Sequence, residues 1–123
     1  MLKDLHPVLP AANLARARTF YHDTLDLDPA EDVAGTLIYR PTPTSMFGIY
    51  ETENAGTAKN TQMGWLTDDL DAEMARLRER GVVFEDFEIP DMTTVAGVVE
   101  TDDGKAAWFR DSEGNFLYIM QRA

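Results

Sequence analysis

The sequence predicts an α+β fold built from two copies of one module. Two amphipathic stripes, Leu14/Ala17/Tyr21/Leu25 and Leu70/Met74/Leu77, recur at helical spacing. They share one apolar phase, since Leu14 plus 56 is Leu70 and Tyr21 plus 56 is Leu77. Each stripe follows one short strand-like run and precedes several more, which suggests an internal duplication. At 123 residues, both copies fit within a single domain that can bury a real core.

In the first copy, Val8 and Leu9 centre a short strand ending at Pro10. Asn13 is suited to cap the helix that runs from Leu14 to about Thr24, because its side chain can accept from a free amide of the first turn. Asp26, Asp28 and Pro29 end that helix. Strands are expected around Ala30–Ala34, Thr36–Arg40 and Met46–Glu51, with Gly35 and PTPT (41–44) as turns. The irregular stretch ETENAGTAKNT (51–61), including an exposed Lys59, joins the copies. Module one spans about 1–53 and module two about 62–123.

In the second copy, Gln62–Leu66 reads as a strand and Asp69 as the next N-cap. Gly81 is placed for the left-handed position that ends a helix. Strands are expected near Val82–Ile89, Val95–Glu100, Ala106–Arg110 and Phe116–Gln121. The last two are joined by DSEGN, a tight turn in which Gly114 takes positive φ. Paired halves of this kind would let two sheets curve around a shared cleft suited to a small molecule.

Composition narrows the function. A net charge of −11 argues against nucleic acid and anionic membranes, both of which need concentrated Lys and Arg. There is no cysteine, which removes disulfides, thiolate metal sites and a cysteine nucleophile. No apolar run approaches the roughly 20 residues that span a bilayer, and no signal-like segment opens the chain, so a cytoplasmic protein is expected. Ser45 and Ser112 sit in turn-like contexts without a nucleophile motif. Glu100 and Asp102 read as surface charge.

The runs LPAANLARARTFYHDTLDL, MGWLTDDLDAEMARLRERGVVF and KAAWFRDSEGNFLYIMQ resemble, in order and spacing, the two helices and closing hairpin of the vicinal oxygen chelate superfamily. That superfamily holds glyoxalases, extradiol dioxygenases, fosfomycin-resistance enzymes and bleomycin-binding proteins. The resemblance implies two tandem βαβββ modules whose curved mixed sheets bound a cleft, and it implies a homodimer. Asp26 departs from the usual Gly of the helix-ending turn, but Asp is among the residues that tolerate positive φ.

Enzymes of this superfamily hold a divalent metal through ligands on the first and last strands of each module. The resemblance places those positions at His6, Gly48, Gln62 and Tyr118. Only His6 is a good ligand, because hard and borderline ions need several convergent imidazole or carboxylate donors. Strand alternation keeps Glu51 off the face of Gly48 and selects Tyr50 instead. No metal and no other cofactor is therefore expected, and His6 reads as a pocket-facing or hydrogen-bonded histidine. His22 reads as a solvent-facing helix residue.

The same alternation proposes a lining. Val8 shares the face of His6, and Phe116 and Met120 share that of Tyr118. Trp108 matches an aromatic ligand contact of the fosfomycin enzymes, and Arg110 is expected at the rim. His6, Tyr50, Gln62, Trp108, Arg110, Tyr118 and Met120 form the candidate ligand-binding set. It suits a hydrophobic, aromatic or cationic small molecule. The competing reading is a glyoxalase-like lyase or isomerase, or a dioxygenase, with His6 as a base or metal ligand.

Overall fold

The computed structural model describes residues 1–123, apart from the side chain of Ile89. Its element order is β1 (Val8–Ala11), α1 (Leu14–Leu25), β2 (Glu31–Val33), β3 (Thr36–Thr42), β4 (Ser45–Glu51), β5 (Met63–Leu66), α2 (Leu70–Glu79), β6 (Glu88–Ile89), β7 (Met92–Thr93), β8 (Val98–Thr101), β9 (Gly104–Arg110) and β10 (Phe116–Arg122). Two mixed four-stranded sheets result, ordered β1-β4-β3-β2 and β5-β10-β9-β8. In each, the strand before the helix pairs parallel with the last strand of its module. The chain divides into two compact units, 1–58 with 111–115, and 59–110 with 116–123.

Both helices start where the capping residues predict. Asn13 accepts from the Arg16 amide at 3.0 Å and Asp69 from the Ala72 amide at 3.0 Å. A second acceptor reaches each first turn: Glu51 to the Leu14 amide (3.3 Å) and Gln121 to the Leu70 amide (2.8 Å). Asp26 ends α1 in the left-handed conformation, φ 57°, and Gly81 lies just past α2 at φ 92°. In the first unit Ala17, Tyr21 and Thr24 bury against Leu9, Leu37, Tyr39, Phe47 and Ile49. The second unit buries Leu70, Met74 and Leu77 with Ala107, Phe109, Leu117 and Ile119.

Two predicted strands are corrected. Val82–Ile89 is extended, with Val82 and Phe84 buried and Val83 exposed, but only Glu88–Ile89 lies in a ladder, pairing with Met92–Thr93 in a small hairpin. The Glu85 amide does bond to the Trp108 carbonyl. The Asp86 carboxylate then takes the Thr94 hydroxyl and the Gly97 amide, which supplies local bonds in place of a ladder. The strand predicted at Val95–Glu100 begins only at Val98, because Ala96 and Gly97 both have positive φ and turn the chain.

The turn after β9 holds the first unit's polar core. Asp111, 6 % exposed, accepts from the Tyr21 hydroxyl (2.7 Å), the Asn115 side-chain amide (2.9 Å) and the backbone amides of Glu113 and Asn115 (both 2.9 Å). Burial first, and then the Asp111 carboxylate, hold the Tyr21 phenol well above its ordinary range, so it remains a donor. Glu113 receives a bidentate Arg16 fork (2.8 and 3.0 Å), the Asn13 amide (2.9 Å) and the Ser112 hydroxyl (2.7 Å).

Burial pushes the Glu113 carboxyl up, but those donors outweigh it and hold it at about 2, against 4.5 for the free group. A carboxylate whose pKa is lowered by folding adds stability above its unfolded pKa and loses it as pH falls towards the folded one. At neutral pH this contributes about 3 kcal/mol. Urea unfolding of the wild type and of Glu113→Gln should therefore differ at pH 6, and the gap should close between about pH 4.5 and 2. A gap independent of pH would mean that the ion pair is not its source.

Candidate ligand-binding site

Each sheet has one face against its helix and one face without a helix. In the first unit the register aligns Val8, Gly48 and Ile38 in one row of the helix-free face, and Pro10, Tyr50 and Thr36 in the next. Tyr50 is 42 % exposed there, and Val8 is 46 % exposed. His6 folds across this face towards Gly48. A Cβ at position 48 would stand 3.0 Å from His6 Nε2, so the glycine makes room for the imidazole. That nitrogen is buried and has no hydrogen-bond partner within the protein. Glu51 lies on the other face, at the start of α1.

In the second unit the helix-free face is aromatic. Paired neighbours share a face, so Gly64, Tyr118 and Trp108 form one row. Phe116 with Arg110 flank it on one side, and Leu66, Met120 and Ala106 on the other. The Tyr118 ring lies over Gly64 so closely that a Cβ there would collide with it. Trp108 and Tyr118 are nearly parallel, with centroids 6.0 Å apart and planes 20° apart. The two rings therefore make a continuous floor, with Tyr118 half-buried.

The surroundings fix the floor. The Trp108 indole N–H donates to the Thr61 hydroxyl at 2.9 Å. Phe87 meets Trp108 edge-on, with centroids 5.8 Å apart and planes at 90°. Arg110 lies 4.4 Å above the Phe116 ring and pairs with Glu85 at 2.9 Å, which holds its guanidinium at one end of the row. Gln62 accepts from the Phe116 amide at 3.0 Å through its side chain, so its carbonyl oxygen extends the pairing of β5 with β10. Of the sequence-predicted set, Trp108, Tyr118, Arg110 and Met120 share this one face, and His6 and Tyr50 share that of the first unit.

Phe87, Thr61 and Glu85 were not anticipated from the sequence. Phe87 falls inside the stretch predicted as a strand, and nothing in its spacing distinguishes it. Thr61 lies in the connecting segment, where a single hydroxyl carries no signal.

The positions that the resemblance assigns to metal ligands bring together no donor set for a divalent ion among the described residues. Gly48 has no side chain, Gln62 is engaged by the backbone, and Tyr118 is committed to the aromatic floor. Among the described residues no group of three His, Asp or Glu side chains converges. His22 instead bonds Asp28 on the surface at 2.7 Å. The Asp28 hydrogen bond, helped by its charge, raises the His22 pKa above its usual value.

These features define a small α+β protein with paired βαβββ modules. The chain belongs to the Glyoxalase/Bleomycin resistance protein/Dioxygenase superfamily, whose model matches residues 5–117. No curated protein sequence matches it. Among solved structures it is similar to TnmS3, an antibiotic binding protein from Streptomyces sp. CB03234. That match has TM-score 0.75 and 24% identity, covering 100% of this chain and 98% of the other. A glyoxalase/bleomycin resistance protein from the same Streptomyces strain matches at TM-score 0.69 and 25% identity, covering 97% and 100%. The fosfomycin resistance protein FosX from Listeria monocytogenes, complexed with Mn(II), matches at TM-score 0.68 and 14% identity, covering 98% and 90%. Among the described residues no helix is long and apolar enough to cross a membrane.

Proposed function

We propose that the chain binds a planar aromatic small molecule on the Trp108–Tyr118 floor and does so without a catalytic metal. The observation that carries this reading is the floor itself: two near-parallel rings, one of them seated over Gly64, with Phe87 edge-on to the other. Antibiotic binding by TnmS3, a protein of the same fold, agrees with it. The net charge of −11 favours a cationic ligand by raising its concentration near the surface. Exposed Val8, Tyr50 and Leu66 are consistent with a homodimer, which light scattering on the purified protein would test.

Proflavine, a planar tricyclic cation, is a suitable probe, with naphthalenesulfonate as its anionic counterpart. The wild type should bind proflavine more tightly than the anion, and Trp108→Ala should weaken proflavine about tenfold or more, the scale of losing a central aromatic contact. Equal proflavine affinity in Trp108→Ala would remove this face from the site.

His6, with its unpartnered Nε2, is the one observation favouring the enzyme reading. Near-stoichiometric metal in protein purified without chelator, lost in His6→Ala, would make a lyase, isomerase or dioxygenase the leading function.

A further inference from the structure

The hairpin of β6 and β7 has a tip on the surface and a fixed base. At that base the Thr94 hydroxyl accepts from the Phe87 amide (2.7 Å) and donates to the Asp86 carboxylate (2.8 Å). The Thr94 amide donates to the Phe87 carbonyl (2.9 Å), and the Gly97 amide to the same Asp86 oxygen (2.8 Å). Thr94 itself is buried, 8 % exposed. Arg78 lies over Phe84 at 5.2 Å and donates to the Ala96 carbonyl (3.0 Å), which holds the far side of the turn. Gly97 has φ 83°, and a Cβ there would meet that of Phe84 at 2.9 Å, so this close packing requires glycine.

The residue that this base orients is Phe87. Its amide and carbonyl are both fixed by Thr94, and its ring stands perpendicular to Trp108. A hairpin of this size is unstable alone, so the side-chain clamp is what gives it one position.

We propose that the β6–β7 hairpin is a flap forming one wall of the aromatic site, and that Thr94 is its positioning residue, setting the width of ring system admitted beside Phe87. The proposal rests on the aromatic floor being the ligand site. Loss of the clamp frees Phe87 to leave Trp108, so the wall is lost while the floor remains.

The test uses the full chain with Trp65→Phe, so that indole fluorescence reports Trp108 alone. Thr94→Val keeps shape and removes both hydroxyl bonds; Thr94→Ser keeps the hydroxyl. Acrylamide quenching of Trp108 reads the flap without any ligand, and proflavine titration reads the site. Thr94→Val should raise the quenching constant about twofold and weaken proflavine three- to tenfold, while Thr94→Ser should match the parent in both. Unchanged quenching in Thr94→Val overturns the clamp, whether or not proflavine binds. Raised quenching with unchanged proflavine affinity overturns the role of the flap in binding. Equal defects in Ser and Val variants assign Thr94 to folding and overturn its positioning role. If the parent itself fails to bind proflavine, the reading of the floor falls and the wall with it, and quenching still decides the clamp.

Discussion

Asp111→Ala should be the most damaging single change in the first unit, lowering stability by about 3–5 kcal/mol. The carboxylate accepts four hydrogen bonds, from the Tyr21 hydroxyl, the Asn115 side chain and two backbone amides. Truncation leaves all four donors without that acceptor in a region where Tyr21 is fully buried and Asn115 is 1 % exposed. A buried unsatisfied donor costs about 1–3 kcal/mol, so even partial relaxation leaves a large deficit. Differential scanning calorimetry should show the melting temperature falling by on the order of 10–20 °C. Tyr21→Phe removes one donor and leaves Asp111 its other three, so it should cost far less. Equal losses in the two variants would mean that the network does not centre on Asp111.

Gly64→Ala tests the aromatic floor from beneath. The added methyl would collide with the Tyr118 ring and would also stand 2.7 Å from the Tyr118 carbonyl, so rotation of the side chain alone cannot relieve it. Overpacking of this kind costs typically 1–3 kcal/mol. The ring must leave its place beside Trp108, and proflavine affinity should fall by at least the Trp108→Ala factor of about ten. Gly48→Ala is the matched control: its methyl meets His6 Nε2 at 3.0 Å, at the end of a side chain that can move. That variant should fold and bind proflavine like the wild type. Loss of binding in Gly48→Ala but not in Gly64→Ala would move the site to the first unit.

Much of this architecture was written in short-range patterns. Asn13 and Asp69 announce both helices because capping is local chemistry, and the 56-residue offset carries the repeat. Alternation put Tyr118, Phe116 and Met120 on one face because strand geometry leaves no other choice. What escaped the sequence depends on partners distant in the chain. Val82–Ile89 has the alternation of a strand, but whether a ladder forms depends on the neighbour, and Asp86 and Thr94 compete for that backbone. Asp111 and Glu113 looked like ordinary turn residues. Their burial is set by Tyr21 and Arg16, 90 and 97 positions away. Likewise nothing in the sequence shows that the Gln62 side-chain carbonyl accepts from the Phe116 amide, 54 positions away.

The residues 111–115 belong to the first unit although they follow almost all of the second in the chain. On a ribosome, Pro10, Asn13, Arg16 and Tyr21 emerge early and must wait for about 90 to 105 further residues before Asp111, Glu113 and Asn115 can meet them. The N-terminal half therefore cannot finish folding until residues 111–115 have been made, and its Tyr21 hydroxyl spends that interval without Asp111. Such late closure over long separations slows folding. A gene split in the connecting segment would yield one fragment lacking its polar core, so the duplication visible in the sequence no longer marks two independently heritable pieces.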